Sequence, residues 1–132
     1  MKYMLDSNIC IFMMKHIPKV VNAFEKNKEY GIAVSTIVLS ELEYGVAKSQ
    51  ISEKSKNNLV NFLANVTIFD FDSNAAVEYG KICADLYKKG SPIGPMDMLI
   101  GAHAKSAGLT LVTNNIRELG RIAGLNIEDW TE

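Results

Sequence analysis

The amino-acid sequence predicts an α/β fold, with a central, mostly parallel sheet and helices on both of its faces. Short apolar runs such as "GIAVS" (31–35) and "LTLVT" (109–113) have the length and composition of buried strands. Between such runs, longer segments repeat apolar residues at helical spacing, and strands that alternate with helices form β–α–β units. The chain has 132 residues, of which 48% are hydrophobic. We therefore expect one domain, spanning residues 1–132, around a single core.

The individual elements follow the apolar pattern along the chain. Five strands are expected, at residues 2–5, 31–35, 66–69, 109–113 and 125–127. Seven helices are expected, at residues 9–15, 20–28, from 35 or 36 to about 48, 52–64, from 72 or 73 to the glycine at 90, from 95 to about 106, and 116–122.

Local signals set the helix boundaries. Side chains that can cap a helix N-terminus precede three of the helices: Asp6, Ser7 or Asn8, then Ser35 or Thr36, then Asp72 or Ser73. Pro18 stops the first helix, and Pro95 suits the first turn of the sixth. Gly90 and Gly108 end the fifth and sixth helices. The core-facing stripe of the fifth helix is expected at Ala76, Tyr79, Ile82, Cys83 and Leu86.

Charge and apolar run length exclude several classes of protein. The longest wholly apolar run, residues 9–14, is far too short to span a membrane, and Asp6 comes too early for a signal peptide. We therefore expect a cytoplasmic protein without membrane contact. A net charge of −1 argues against binding nucleic acid by bulk charge. A local basic face and an evenly solvated surface both remain compatible with Lys48, Lys54, Lys56, Lys81, Lys88, Lys89, Lys105, Arg117 and Arg121.

The cysteines and histidines give no sign of a zinc site. Cys10 and Cys83 lie in apolar helical patterns and are expected to be buried, reduced thiols. His16 and His103 stand alone, so we expect surface or packing residues rather than metal ligands.

Polar residues stand where two strands end. Asp6 follows the first strand, and Asn114 and Asn115 follow "LTLVT". In open α/β sheets ligands bind outside the carboxyl ends of the strands. These side chains are therefore candidates for a functional site.

Two helices contribute further acids. In the third helix Glu41 and Glu43 flank opposite edges of the core stripe at about 100° per residue, and periodicity does not choose between them. Gly45 favours Glu41 slightly, because it leaves that carboxylate approachable. In the sixth helix Asp97 falls in the first turn and shares a face with small residues, including Gly101.

Each acid also has an ordinary explanation. Asp6 can cap a helix, Asp97 can complement a helix dipole, and Glu41 can be a solvated edge residue. The alternative is that the three carboxylates converge, where they would repel one another unless a cation neutralised them. Ligands that are all oxygen suit Mg²⁺ or Mn²⁺, which can polarise a phosphodiester and activate water.

Four stretches together resemble PIN domains and, within that family, the VapC-type toxin ribonucleases of VapBC toxin–antitoxin pairs. They are "YMLDSNICIF" (3–12), "SELEYGVAKS" (40–49), "GSPIGPMDMLIGAHAKSAGLTLVTNNIREL" (90–119) and "GLNIEDW" (124–130). The resemblance covers nearly the whole chain and implies a three-layer α/β/α fold. It places the three acids of the family on Asp6, Glu41 and Asp97. The "ELxYG" pattern thereby selects Glu41 over Glu43.

At the fourth acidic position of many PIN domains, this chain departs from the family pattern. That position lies just after the last strand in a motif like "TxD", whereas this chain has "TNN" and so places Asn115 there. Related VapC-like sequences share this departure. We expect Glu118, about one helical turn further on, to act as the fourth acid through water that Asn115 positions. The alternative is an ordinary solvated Glu118.

The resemblance implies an Mg²⁺-dependent RNA endonuclease, with Mn²⁺ as a substitute, that is the toxin of a type II toxin–antitoxin system. It implies a structured RNA substrate, with tRNA favoured, a VapB-like antitoxin that presents Arg or Lys to the acids, and a homodimeric toxin. Two alternatives stay open. One is a catalytically inactive PIN-like interaction module, which retention of all three acids argues against. The other is an Mg-dependent phosphotransfer domain of another α/β type, which would call for a second acid beside Asp6 or a Lys after the last strand.

Overall fold

The five strands form one parallel sheet. In the computed structural model, which describes residues 1–132, the strand order is β3-β2-β1-β4-β5 and every neighbouring pair is parallel. The strands are β1 (Tyr3–Leu5), β2 (Ile32–Ser35), β3 (Thr67–Phe69), β4 (Thr110–Val112) and β5 (Ile127–Glu128). Every residue of β1 and β2 is buried. Because successive side chains of a strand point to opposite faces, both faces of the sheet are covered, as predicted.

Seven helices connect the strands. They are α1 (Ser7–Met14), α2 (Pro18–Asn27), α3 (Thr36–Lys48), α4 (Ser52–Leu63), α5 (Ser73–Lys88), α6 (Pro95–Ser106) and α7 (Ile116–Leu119), and a 3₁₀ turn, Lys28–Tyr30, follows α2. Helix α5 packs on α6, while α3 packs on α1 and α4. One hydrophobic core of 27 buried residues joins these layers. No helix combines the length and the apolar composition needed to cross a membrane.

The expected N-terminal caps are confirmed for three helices. The side chains of Asp6, Ser35 and Asp72 accept the backbone N–H groups of the third or second residue that follows, at 2.9–3.0 Å. Helix α1 therefore begins at Ser7, and α2 begins at Pro18, each two residues earlier than predicted. The first helical residue directly follows a capping residue, and proline is favoured in the first helical position. These two rules account for the starts at Ser7 and Pro18.

The last predicted helix and strand are wrong in extent. The helix ends at Leu119 instead of residue 122, and the strand lies at Ile127–Glu128 instead of 125–127. Gly120 disfavours continuation of the helix, and the following N–H groups make tighter bonds to the third residue back. Gly124, at φ +78°, then turns the chain, so that Leu125 lies before the strand.

One predicted core position on α5 is also wrong. Ala76 is exposed, and Ala75 is buried in its place together with Ile82 and Leu86. Ala75 continues the stripe of Tyr79, Ile82, Cys83 and Leu86 at helical spacing, so the prediction was wrong only at its first position. The two cysteines are free, as expected, with Cys10 buried and Cys83 partly buried.

Candidate active site

Asp6 lies at the carboxyl end of β1 and is 6% exposed. One carboxylate oxygen accepts the N–H of Ile9 at 3.0 Å, so the side chain caps α1. Burial raises the pKa of the Asp6 carboxyl above its usual value, and the charge of Glu41 raises it further. Hydrogen bonds from the Thr113 hydroxyl and from Ile9 act in the opposite direction. Asp6 is thus a helix cap and also a buried charge that another carboxylate repels.

Glu41 faces Asp6 from helix α3. The Ser7 hydroxyl donates a hydrogen bond of 2.5 Å to Glu41 Oε1, which joins α3 to the first residue of α1. Glu43 instead pairs with Lys56 of α4, with Nζ 2.6 Å from Oε2. A Cβ placed on Gly45 would meet no atom within 4 Å, so the surface beside Glu41 is open. The structure therefore brings Glu41, and not Glu43, towards Asp6.

Asp97 is joined to the turn after β4 by an asparagine. The Asn115 side-chain amide donates to Asp97 Oδ2 at 3.1 Å and to Glu118 Oε2 at 3.2 Å. Burial raises the pKa of the Asp97 carboxyl, and the charges of Glu118 and Asp6 add to this effect. Asn115 therefore holds two carboxylates near each other without neutralising either.

The close approach of α6 to the segment after β4 depends on Gly101. A Cβ at Gly101 would lie 2.5 Å from Ile122 Cδ1 and 3.3 Å from Leu119 Cδ2. Only the absence of a side chain lets the two segments pack at this distance. The small residue that shares a face with Asp97 thus helps to bring Glu118 close to it.

These acids form what we call the acidic edge: Asp6, Glu41, Asp97 and Glu118. Asp6 is its centre, because its charge acts on Asp97 and the charge of Glu41 acts on it. None of the four carboxylates takes part in a salt bridge. No three acidic, histidine or cysteine side chains are placed so that they could hold one metal ion together. Hydrogen bonds hold the acids instead: Ser7 holds Glu41, and Asn115 holds both Asp97 and Glu118.

Sequence reasoning missed the role of Thr113. Its side chain is fully buried, its hydroxyl oxygen accepts the Asn115 N–H at 2.9 Å, and it also hydrogen-bonds Asp6. The hydroxyl therefore connects the end of β1 to the turn that carries Asn115. A signal was available, since a hydroxyl residue ends the predicted strand at the edge where Asp6 was placed.

The histidines lie outside the acidic edge, one at the surface and one in the core, as expected of surface or packing residues. His16 is exposed, and His103 is buried against Ser35. Three residues considered for a basic face, Lys56, Lys89 and Lys105, are paired with acids. Their charges are thus partly neutralised by neighbours.

Comparison with known proteins agrees with this geometry. A family model described as "PIN domain" matches residues 3–125. The chain is 41% identical over 131 residues to the tRNA(fMet)-specific endonuclease VapC of Shigella flexneri, with 99% of each chain covered. It belongs to the PIN-domain family and, within that family, to the VapC ribonucleases.

Two solved structures extend the similarity to three dimensions. VapBC2 from Rickettsia felis, bound to a DNA fragment from its promoter, aligns with a TM-score of 0.94 and 42% identity, covering 98% of this chain and 99% of that one. DNA-bound VapBC from Salmonella typhimurium aligns with a TM-score of 0.93 and 43% identity, covering 98% of both chains. The predicted family and the α/β PIN-like fold are confirmed.

Proposed function

We propose that this chain is a divalent-metal-dependent RNA endonuclease and the toxin of a type II toxin–antitoxin pair. The observation that carries the proposal is the acidic edge, where the charge of Glu41 acts on Asp6 and the charges of Asp6 and Glu118 act on Asp97. No cationic side chain pairs with any of the four carboxylates. Acids that only form part of a fold are normally paired or solvated, because an uncompensated cluster costs stability.

The donor set of the acidic edge suits Mg²⁺, with Mn²⁺ as a substitute. Its side chains offer only oxygen atoms, and both histidines lie elsewhere. Burial, and after it neighbouring carboxylates, raises the pKa values of Asp6 and Asp97, and a bound cation would counter both effects. We propose Asp6, Asp97 and Glu41 as the residues that hold the ion. Because no three of these side chains converge on one point, they would hold it partly through the water molecules that Mg²⁺ retains. When bound, the ion would polarise the scissile phosphodiester and lower the pKa of a water molecule.

The remaining contacts orient these acids. Ile9 and Thr113 fix Asp6, and Ser7 fixes Glu41. The Asn115 amide donates to both Asp97 and Glu118, so the two acids lie on either side of one side chain. We propose that Glu118 acts through water and that the Asn115 amide, which carries no charge, positions this acid and that water.

We propose a structured RNA, and tRNA in particular, as the substrate. The relative from Shigella flexneri is named a tRNA(fMet)-specific endonuclease, and its likeness to this chain runs from end to end. The chain itself carries a net charge of −1. Binding must therefore rely on local positive charge and on the cation at the acidic edge rather than on bulk attraction.

We propose a VapB-like antitoxin as the protein partner, and a homodimer as the state of the toxin. The two similar solved structures are described as VapBC assemblies. An open groove of about 480 Å³ adjoins Glu41, with an apolar floor that includes Ile11 and Leu59 and a rim that includes Lys15 and Lys48. A helical segment of the antitoxin with an apolar face, acids at its margins and an Arg or Lys directed at Glu41 would fit this groove.

RNA cleavage by the purified chain tests the proposal. A tRNA pool is incubated with the protein plus Mg²⁺, Mn²⁺ or a chelator. Cleavage at one or a few sites that needs the cation supports the proposal. Intact RNA under all conditions would favour an inactive interaction module, and release of phosphate from small phosphoesters would favour another phosphotransfer domain. Co-expression with the neighbouring reading frame tests the antitoxin, since it should restore growth.

A further inference from the structure

A second buried polar cluster lies away from the acidic edge, at the junction of β2 and α3. Ser35 is fully buried and His103 is 3% exposed. The Ser35 hydroxyl and His103 Nδ1 are 2.7 Å apart. The same Ser35 oxygen accepts the N–H of Ile37 at 3.0 Å and so caps α3.

The hydrogen-bond partners assign the proton of this pair. The Ser35 oxygen accepts the Ile37 N–H and keeps its own hydrogen. The backbone hydrogen bond of His103 at Asp70 favours a proton on the other ring nitrogen, which leaves Nδ1 to accept the Ser35 hydrogen. Burial lowers the pKa of His103, although the facing groups Asp72 and Asp70 act in the opposite direction. The ring therefore stays neutral and accepts the serine hydrogen bond.

Aromatic packing fixes the plane of the ring. The edge of the His103 ring contacts Phe71, with 5.4 Å between ring centroids and 75° between planes. The Phe71 N–H also donates to Thr36 Oγ1 at 3.1 Å, which ties the same junction to the segment before α5. The Ser35–His103 hydrogen bond therefore adds a contact from α6 to a junction that β2, the Thr36 hydroxyl and the packing of α3 on α1 and α4 also hold.

This hydrogen bond joins the two helices that carry proposed metal ligands. Glu41 follows Ser35 by six residues on α3, and Asp97 precedes His103 by six residues on α6. No other side-chain hydrogen bond links α6 with Ser35 or α3. Packing in the core also places the two helices, but this hydrogen bond is the one directional side-chain contact between them.

Stability alone does not account for a polar pair at this position. A buried hydrogen bond adds little net stability, and two apolar side chains of the same shape could replace it at small cost. An apolar pair would not fix the distance and angle between α6 and the start of α3, whereas a satisfied polar pair does. We propose that His103 is a positioning residue, which sets the separation of Glu41 and Asp97 by holding Ser35. This inference rests on the proposed function of the acidic edge.

Four variants test the positioning role: His103→Leu, His103→Asn, Ser35→Ala and the double variant Ser35→Ala/His103→Leu. Leu keeps the approximate size and removes the acceptor, whereas Asn keeps an acceptor at the δ position. Each protein is assayed for kcat and KM on tRNA with Mg²⁺, and for Mn²⁺ affinity by electron paramagnetic resonance without RNA. Val20→Ala, a buried change on α2 outside the cluster, controls for lost stability.

We expect His103→Leu and Ser35→Ala each to lower kcat and weaken Mn²⁺ binding by about 10-fold, with KM little changed. The double variant should be no worse than Ser35→Ala, because Ser35→Ala already removes the contact with His103 together with the cap of α3. His103→Asn should recover most of the loss. Parent-like kcat and Mn²⁺ affinity in His103→Leu, or an equal loss in Val20→Ala, would overturn the role.

The parent protein separates this inference from the proposed function. A parent that neither binds Mn²⁺ nor cleaves RNA counts against the proposed function, and the positioning role falls with it. An active parent with a parent-like His103→Leu counts against the positioning role alone.

Discussion

Two buried polar groups stand at the ends of neighbouring strands, and they are built in opposite ways. Asp6 ends β1 and caps α1, while Ser35 ends β2 and caps α3. Around Asp6 the groups are like-charged carboxylates, and the pKa of Asp6 is raised. Around Ser35 the partner is a neutral imidazole, and the pKa of His103 is lowered. Both residues satisfy a helix N-terminus, yet only Asp6 stands among charges that nothing in the chain compensates.

The difference separates what a cap requires from what a binding site requires. A cap needs one oxygen that accepts an N–H group, and serine supplies it as well as aspartate does. The charge of Asp6 gains a favourable interaction with the dipole of α1, but burial opposes that charge and raises the pKa of Asp6, so capping alone does not explain a buried carboxylate here. An external cation is the simplest partner for which that charge is useful.

The largest expected effect is on catalysis when the charge of Asp6 is removed. Asp6→Asn keeps a capping oxygen and nearly the same shape, so folding should persist. RNA cleavage should fall by about 100-fold or more, because the proposed ion loses a ligand. Glu43→Gln is the matched control: it removes a carboxylate of α3 that pairs with Lys56 instead of facing Asp6. Its activity should match the parent. Equal cleavage rates for Asp6→Asn and the parent would refute the site.

A smaller effect, about 10-fold in the cleavage rate, is expected when Glu118 is changed. Glu118→Gln should slow cleavage and raise the Mg²⁺ concentration needed for half-maximal rate. Asn115→Asp should keep activity or tighten metal binding, because it adds a carboxylate where Asn115 now contacts Asp97. Unchanged Mg²⁺ titrations for Glu118→Gln would assign the role to Asn115 alone, or show that three acids suffice.

The comparison also shows what could be predicted from the sequence. The strand ends, caps and proposed acids were predictable because each has a local signal, as the placement of Asp6 after an apolar run illustrates. The choice of Glu41 over Glu43 came from resemblance, since helical periodicity treats the two edges alike. The pairing of Ser35 with His103 was not predictable, because it joins positions 68 residues apart that meet only through packing.

The predicted extent of the helix after β4 was wrong for a related reason. Its apolar pattern suits a helix from Ile116 to residue 122, but the propensity of Gly120 and the packing of Ile122 against Gly101 end it early. Local periodicity does not contain the position of α6, so it could not place this boundary. The one-domain organisation over residues 1–132 stays a prediction.

Thermal stability should show the cost of the uncompensated charge. A carboxyl whose pKa is raised on folding contributes stability below its usual value of 3.8, and that contribution is lost as the pH rises through the raised pKa. At pH 7 without divalent cations, Asp6→Asn should therefore melt on the order of 3 °C above the parent. The gap should close near pH 3.5 and also when Mg²⁺ is added. An Asp6→Asn protein that melts below the parent at pH 7 would contradict the repulsion.

The smallest expected effect is a pH dependence of the opposite sign at His103. A histidine whose pKa is lowered on folding contributes stability above its usual value of 6.5, and that stability is lost as the pH falls towards the lowered pKa. The parent should therefore lose about 1–2 °C in melting temperature between pH 7 and pH 5.5 that His103→Leu does not lose. Measuring both proteins in the Asp6→Asn background removes the contribution of the Asp6 carboxyl from the comparison. If the two proteins respond equally to pH, His103 is not held neutral by burial, and the contrast between the two strand ends loses its electrostatic basis.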